Sequence, residues 1–519
     1  MNSTAAKAVT ACCAMLAALP LAVLAAPPGV RAAAAAPPAR PAGAALGVRL
    51  GDPTLAVVRA TLDGRERKRL LADQLPLALA SHAAPPARVA SEPAESVDPA
   101  TGLPYAWQLA AVRAPQALRL VAGGPPVAVI DTGVDTSHPD LRGSVRSRVD
   151  LLGQRSVADF DGHGTFIAGL IAARANNGIG TLGVGGNTPL IVVRASTGES
   201  FTQLALADGV LAAIRRGARV INLSVQANTL DFLLRDALER AVALDVLVVA
   251  AAGNTGSSGN LPQEPAVSLG GPRGAVGAGL SVAATLPSGA AARFSTRNDS
   301  VSLAAPGAMG DCRRGVFSTI PRATDTSFDH DAPKLCGPLI FAPGPFGAGR
   351  YAYGQGTSFA APIVSAVAAL VFAAQPRLHA DQVARILMRT ARQANGQRGW
   401  NPATGHGVVD AQAAVELARR FDVTPPPARA QIARISPTTW RVRVLPSRDP
   451  VRRGQLREGG VRYAIVVEER GRRRLLARPT SRPPVRSVRL PSTSKGLRLF
   501  VVACDRVLNC ASRSFPLVR

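Results

Sequence analysis

From Val127 to about Arg420 the chain alternates between two textures. Short runs that are apolar at every position (Val127–Ile130, Leu190–Val193, Val220–Leu223 and Val246–Ala251) are separated by longer stretches of helical period. Those stretches are Gly164–Ala173, Leu204–Arg216, Leu230–Leu244 and Ser358–Ala374. A strand that is apolar throughout, rather than at every second residue, has both faces covered, as in a parallel sheet flanked by helices. The pattern predicts an α/β domain built on a doubly wound parallel sheet, in which ligands sit beyond the carboxyl ends of the strands. After Val423-Thr-Pro-Pro-Pro the texture changes. Arg441-Val-Arg-Val-Leu, Val461–Val467 and Leu497–Ala503 have strand character and predict a small C-terminal β domain over residues 428–519, behind a proline linker. Upstream, residues 27–97 are rich in Ala, Pro and Arg. One patch there has the makings of structure: Leu55-Ala-Val-Val-Arg-Ala reads as a strand, and Arg65 to Leu75 as a helix.

Composition narrows the classes. With 519 residues and 47% hydrophobic content there is apolar material for a large core, which excludes wholesale disorder. Aromatic residues make up 4%, too few for stacking platforms that grip single-stranded nucleic acid. The net charge of +26 comes from 56 Arg against 4 Lys, a skew that reflects a GC-rich genome before it reflects a nucleic-acid partner. Residues 422–519 alone hold 22 basic and 6 acidic side chains, a net of +16. That charge suits contact with anionic surfaces such as cell-wall polymers or acidic proteins, or a simply solvated surface. After residue 40 no apolar run reaches the ~18 residues that span a bilayer, so no transmembrane anchor is expected once the leader is removed.

Lys7 precedes an apolar stretch, Ala8 to Ala26, and then Pro27-Pro28, the layout of a secretory signal peptide over residues 1–26. Cys12 and Cys13 would leave with it. Cys312, Cys336, Cys504 and Cys510 remain, an even number that fits disulfides in an exported chain. Proximity favours Cys312–Cys336 and Cys504–Cys510 among three possible connectivities.

Four polar residues fall where the crevice is expected. Val127-Ala-Val-Ile ends in Asp131-Thr-Gly, which puts a carboxylate at a strand's carboxyl end. Asp161-Gly-His163-Gly-Thr opens an apolar helix, with glycines on both sides that permit close backbone approach. An imidazole at a helix start needs an anion if it is to carry charge, and Asp131 is the candidate partner for a general base. Val246-Leu-Val-Val-Ala-Ala-Ala-Gly-Asn254 sets an amide over the same edge, as a turn residue or as a donor to a developing oxyanion. Gly356-Thr-Ser358-Phe-Ala-Ala-Pro362 feeds a helix, and Ser358 there is a cap or a nucleophile. Pro362 is expected within the first turn, which leaves Ser358 at the helix mouth. No Lys follows the glycines, so a phosphate-binding loop does not fit, and no G-x-S-x-G elbow is present.

The order Asp, His, Asn, Ser in these contexts closely resembles the subtilisin-like serine proteases (subtilases), a family that also serves as a general reference for this triad. The resemblance spans roughly residues 98–418. It includes Val127–Leu141, Asp161–Ala173, Val248–Thr255, Val301–Gly307, Gly356–Leu370 and Gly405-His-Gly-Val-Val-Asp410. It implies a peptidase domain over 98–421 behind a propeptide or linker over 27–97. Asp131, His163 and Ser358 would form the catalytic triad, with Asn254 in the oxyanion hole. The implied product is a secreted serine endopeptidase acting on protein or peptide substrates, made as a zymogen, with no nucleic-acid partner and no cofactor for catalysis. A catalytically silent subtilase-fold binding protein at the cell envelope is the alternative.

Several departures from the family pattern bear on function. Ser224-Val225-Gln226-Ala227 stands where the family commonly has Ser-Leu-Gly-Gly against the substrate backbone, so Ser224, Val225 and Gln226 are the expected substrate-binding residues. The stretch from Gly307 to Tyr353 is long and reads as a stapled surface insertion. Asn176-Asn-Gly-Ile-Gly-Thr-Leu-Gly-Val184 resembles the family's structural calcium loop. By that likeness Asp140 and Asn177 give side-chain oxygens, and Ala175, Ile179 and Thr181 give carbonyls, a set that suits calcium. The loop's other reading is a metal-free Asn-Gly turn. Asp329-His-Asp331 reads as solvated loop, His138 as structural, and His406 has no assigned role.

Overall fold

The computed structural model describes residues 92–516 except 100, 199, 311–314, 323–339, 342–345, 394–397, 437, 449–459, 470–471, 490–497 and 506–508; upstream it describes residues 46, 49, 50, 52, 53, 56, 57 and 60. The predicted leader, the Arg65–Leu75 helix, Cys312, Cys336 and Asp329-His-Asp331 lie outside the described residues. Two compact units form. One comprises residues 41–50 and 71–419, the other residues 1–40, 51–70 and 420–519.

The larger unit is built on β1 (Val127–Asp131), β2 (Val145–Asp150), β3 (Leu190–Arg194), β4 (Val220–Leu223), β5 (Leu247–Ala251), β6 (Leu280–Thr285) and β7 (Leu303–Pro306). They make one sheet in the order β2-β3-β1-β4-β5-β6-β7, every pair parallel. The four strands expected from apolar runs are β1, β3, β4 and β5, each buried along its length. From β1 the chain passes to the edge strand β2, fills in β3 between them, and then builds outward on the other side from β4 to β7. The crevice of a doubly wound sheet opens at that reversal, beyond β1 and β4.

Around the sheet lie α1 (Trp107–Ala111), α2 (Ala114–Leu118), α3 (His163–Ala172), α4 (Gln203–Arg215), α5 (Phe232–Ala243), α6 (Ala266–Leu269), α7 (Thr357–Ala374), α8 (Ala380–Thr390) and α9 (Ala411–Arg420). Helix α7 is apolar on every side and packs against β4, β5, β6 and β7, as a helix without a polar face must. It corrects one expectation: with 18 residues it is long and apolar enough to span a bilayer. Its side chains are instead buried in the core, where the hydrophobic drive is met by the sheet.

The stapled insertion expected between Gly307 and Tyr353 carries Cys312 and Cys336, which lie outside the described residues; the described part of the stretch forms a small sheet. β8 (Val316–Ile320) and β10 (Arg350–Gly354) pair antiparallel, with β9 (Ile340–Phe341) on the other edge of β10, and β8 is wholly buried. Ser318 Oγ and Thr319 Oγ1 donate to the carbonyls of Phe166 and Thr165, so this small sheet braces α3.

The smaller unit is a two-sheet β structure. β11 (Ala430–Ser436), β12 (Thr439–Val444) and β15 (Val485–Arg489) form one antiparallel sheet. The other has the order β14 (Arg472–Thr480), β13 (Arg462–Glu469), β16 (Arg498–Cys504), β17 (Cys510–Pro516). Val442 and Val444 of the first sheet cluster with Tyr463, Ile465, Val467, Leu499, Val501 and Ala503 of the second. Cys504 and Cys510 form the disulfide favoured by proximity, at the end of the β16–β17 pair where the chain passes from one strand to the other. The chain is helical at Pro53, Ala56, Val57 and Ala60, where a strand was expected; Val57 is buried. The Ala56 N–H donates to the Asp52 carbonyl, so the local bonding is helical and the β-branched pair does not decide the segment.

Candidate active site

Asp131 is the last residue of β1 and is 1% exposed. Its Oδ1 accepts from His163 Nδ1 at 2.8 Å and from the Thr132 N–H at 2.8 Å. His163 is the first residue of α3, and Gly164 explains how helix and strand come so close. A Cβ on Gly164 would stand 2.1 Å from the Gly133 carbonyl oxygen and 3.2 Å from the Asp131 Cβ, so only glycine allows the approach.

A carboxylate that sequence reasoning missed holds this junction. Asp159 is buried, and its Oδ1 accepts from Thr132 Oγ1 (2.8 Å) and the Gly162 N–H (2.9 Å). Its Oδ2 accepts from the N–H (2.8 Å) and hydroxyl (2.6 Å) of Thr165. The Gly164 N–H donates to Thr132 Oγ1 at 2.9 Å. Asp159 therefore ties the start of α3 to the residue beside Asp131. The available signal was an Asp two residues before Asp161-Gly-His.

The electrostatics of His163 follow from this placement. Burial favours the neutral ring, but the Asp131 charge and the 2.8 Å hydrogen bond outweigh it, and the imidazole is pushed up to about 9. His138 has the opposite fate. It is fully buried, its Nδ1 accepts from the Asp140 N–H and its Nε2 donates to the Arg350 carbonyl, and burial drives it down to about 4. It is a structural residue, as expected. His406 donates from Nε2 to the Gly274 carbonyl, and Asp410 is buried against Arg113 and Arg392.

Ser358 is the second residue of α7, and Pro362 the sixth, so the proline lies beyond the first turn where it was expected. A proline there supplies no N–H for the carbonyl four residues back, which is that of Ser358. The orphan is satisfied from outside the helix: Ser224 Oγ donates to it at 2.6 Å. Behind Ser224 runs a buried chain, in which Asn222 Nδ2 donates to Ser224 Oγ (2.9 Å) and Ser365 Oγ donates to Asn222 Oδ1 (3.0 Å). The Ser358 hydroxyl in turn donates to the Ser224 carbonyl at 3.2 Å. Phe359, the next residue, lies 5.4 Å from the His163 ring between centroids, which brings the hydroxyl's neighbourhood to the imidazole.

Asn254 follows the end of β5. Its Oδ1 accepts from both the N–H (3.0 Å) and the hydroxyl (2.9 Å) of Thr357. That fixes the amide orientation and turns Nδ2 toward Gly356 beside the hydroxyl of interest. Thr357 is a second positioning residue that sequence reading passed over.

The three residues expected against a substrate follow β4. Ser224 and Val225 are buried, whereas Gln226 is exposed and its Oε1 accepts from the Asn254 N–H at 3.1 Å. Ala227 pairs with Glu264 through two backbone hydrogen bonds. Gln263, missed in the sequence, is buried beside them. A Cβ on Gly253 would stand 2.5 Å from its Cγ. One glutamine thus bonds the turn after β4 to Asn254, and another packs against Gly253.

The loop proposed for a cation brings Asp140 and Asn177 together, Asn177 Nδ2 lying 2.7 Å from Asp140 Oδ1. Asp140 Oδ2 accepts from the Thr181 N–H and from Tyr351 Oη. Burial, with the charge of Glu92 adding to it, pushes Asp140 up to about 6. Glu92, a residue outside the expected set, accepts from the Asn177 N–H and is itself raised by burial; its Oε2 is buried with no hydrogen-bond partner. Two buried carboxylates with an orphaned oxygen fit a hard cation in charge and donor type. Among the described residues no three His, Cys, Asp or Glu side chains converge, so such an ion would also need the Asn177 amide and loop carbonyls.

Comparison with known proteins agrees with this geometry. The Subtilase family matches residues 122–407. Thermitase of Thermoactinomyces vulgaris is 32% identical over 288 residues, 55% of this chain and 88% of its own. Subtilisin DY of Bacillus licheniformis is 30% identical over 317 residues, 60% of this chain and 99% of its own. Fervidolysin of Fervidobacterium pennivorans is 32% identical over 340 residues, and the chain spans 43% of its length. Among solved structures, a protease of Pseudoalteromonas arctica PAMC 21717 matches with a TM-score of 0.50 and 26% identity, over 59% of this chain and 94% of that one.

The Asp131–His163 pair makes a direct prediction. In a Ser358→Ala protein, NMR titration should find the His163 imidazole protonated well above the ordinary range, up to about 9. Asp131→Asn should lower it sharply, because the Asp131 charge and hydrogen bond are the largest contributions that oppose burial, with Asp161 and Asp159 adding less. An unchanged titration in Asp131→Asn would mean that another group charges the ring.

Proposed function

The chain belongs to the Subtilase family of serine-type endopeptidases, and from that premise we propose that Ser358 is its nucleophile, His163 its general base and acid, and Asp131 the carboxylate that orients the imidazole. The observation that carries this reading is the 2.8 Å contact between the buried Asp131 and His163 Nδ1, at the edge of the sheet where Ser358 enters α7. With Nδ1–H given to Asp131, Nε2 is the free acceptor. The Ser358 hydroxyl turns from the Ser224 carbonyl toward Nε2, passes its proton there, and Oγ attacks the peptide carbonyl carbon. The carbonyl oxygen takes up the electron pair and accepts from Asn254 Nδ2 and the Ser358 N–H at the positive end of α7. Collapse expels the amine, which takes the proton from His163. Water then repeats the sequence on the acyl-enzyme and frees the carboxylic acid. The silent-scaffold alternative finds no support in so complete a set of groups.

The same reading covers processing and surroundings. Residues 1–26 act as an export signal, and the segment between the leader and the peptidase unit as a propeptide. The C-terminal unit offers exposed Arg441, Arg443 and Arg486 for contact with an anionic surface. A structural calcium would be held by Asp140, Asn177 and Glu92 with the carbonyls of Ala175, Ile179 and Thr181. It would neutralise buried negative charge and take no part in bond cleavage.

Peptide side chains next to the cut bond enter the gap between the ends of β4 and β5, which Gln226 and Gln263 shorten. Small residues are therefore the favoured class there, since a large one must displace the Gln226–Asn254 hydrogen bond.

Measurements on variants and on the active protein test these proposals. Ser358→Ala should abolish both fluorophosphonate labelling and casein turnover, and Asn254→Ala should lower kcat on the order of 10²–10³-fold. In the active protein kcat/KM should rise with pH on a limb above the ordinary imidazole value, up to about 9, because protonated His163 is no base. Labelling that survives Ser358→Ala overturns the assignment. On a peptide library, Gln226→Gly should raise kcat/KM for large aromatic or aliphatic residues before the cut bond relative to alanine; an unaltered profile removes Gln226 from the specificity argument. Finally, EDTA should lower the melting temperature of Ser358→Ala and calcium restore it, with Glu92→Gln or Asp140→Asn blunting the response. A melting temperature indifferent to calcium in the unsubstituted loop excludes the cation.

A further inference from the structure

The central strands of the smaller unit carry an unusual demand. Tyr463-Ala-Ile-Val-Val467 in β13 and Leu499-Phe-Val-Val-Ala-Cys504 in β16 are apolar without alternation, so both faces of this antiparallel sheet need cover. One face is met by Val442 and Val444 of the other sheet. The opposite face consists of Ala464, Val466, Phe500, Val502 and Cys504, each 5% exposed or less. Nothing from residues 420–519 supplies a sheet against it among the described residues. Its cover includes Leu475 and Cys510 at the margins and, over the face, Val57, which is 1% exposed, with Ala60 beside it. Ser512 Oγ of β17 also donates to the Ala60 carbonyl. A turn of helix some four hundred residues upstream in sequence thus completes the core of the C-terminal unit.

We propose that this face of the β13–β16 sheet is a docking surface for the chain's own segment carrying Val57 and Ala60, and that the segment stays bound there when the propeptide is cut from the peptidase unit. The mature enzyme then consists of two chains. This rests on the zymogen reading above, but the surface itself does not depend on catalysis. Releasing the segment would expose Val466, Phe500 and Val502 to water on a contiguous apolar patch, which a secreted protein avoids unless something covers it. The interaction is mostly apolar, so salt should not weaken it.

The test separates docking from activity. Ser358→Ala removes self-cleavage, and a recognition sequence for an added specific protease, inserted between Pro85 and Pro86, allows a cut on demand. After the cut, gel filtration at micromolar concentration should show the N-terminal fragment co-eluting with the remainder, in low and in high salt. Val57→Ala should speed its dissociation by about tenfold, and Val57→Asp should abolish retention. Hydrogen exchange at Ala464, Val466, Phe500 and Val502 should rise in parallel with release. A fragment that elutes free from the unsubstituted chain overturns the proposal. So does retention that neither Val57 variant changes, since another surface would then hold the fragment. If Ser358 proves not to be the nucleophile, the added protease still makes the cut and the docking result stands.

Discussion

The carbonyl of Ser358 has no partner in its own helix, because the residue four places on is Pro362. In a buried helix an unsatisfied carbonyl costs on the order of 1–3 kcal/mol, so the fold must meet it from outside. It does so through Ser224, and Ser224 is held by Asn222, which is held by Ser365 on the same helix one turn beyond the proline. The loop of contacts returns to α7, so helix and strand β4 are pinned at one register. A proline that would weaken an ordinary helix here makes the Ser358 backbone bind Ser224, just after β4.

The same economy of placement decides which histidine can do chemistry. His138 is buried and His163 half-buried, and their ring nitrogens face different groups. His138 meets an N–H and a carbonyl, each of which suits the neutral ring. His163 meets a buried carboxylate, whose Oδ1 it shares with the Thr132 N–H. A charge-matched partner in a site poor in water acts more strongly than the same pair at the surface, and the ring gains a proton readily as a result. Asp159 and Gly164 make this possible without touching the imidazole. One ties the two chain segments together, and the other removes the methyl group that would hold them apart.

Much of this was legible in the sequence, for identifiable reasons. β1, β3, β4 and β5 are central strands whose residues are all apolar, so their period is unmistakable. β2 is an edge strand of alternating exposure, Val-Arg-Ser-Arg-Val-Asp, and β6 and β7 are rich in alanine and serine; neither stands out from loop. Asp131, His163, Asn254 and Ser358 announce themselves by glycine and by the ends of apolar runs. Asp159, Thr357, Glu92 and Gln263 do not, because each acts through a neighbour that is distant in sequence. Pro362 was misplaced since its rule concerns one carbonyl within one helix, whereas the acceptor's rescue comes from residue 224. The bracing of α3 by the β8–β10 stretch is not visible in its sequence, because Ser318 and Thr319 act on carbonyls some 150 residues away.

On the proposed reading, the departure from glycine after β4 bears on selectivity and leaves the fold unchanged. A glycine at 226 would leave the Asn254 N–H open to an incoming peptide backbone; the Gln226 side chain already occupies that donor. The hydrogen bond is made by an exposed, flexible side chain, so its net worth is small, about 1 kcal/mol. Such a contact discriminates without barring entry: a substrate that can replace it loses little, and one that cannot also fit above Gln263 loses more. Selectivity set this way resides in two side chains on turns after β4 and β5, while the buried chain from Ser365 to Ser224 stays untouched. On the proposed reading, the groups that break the bond and those that select the substrate can therefore vary independently.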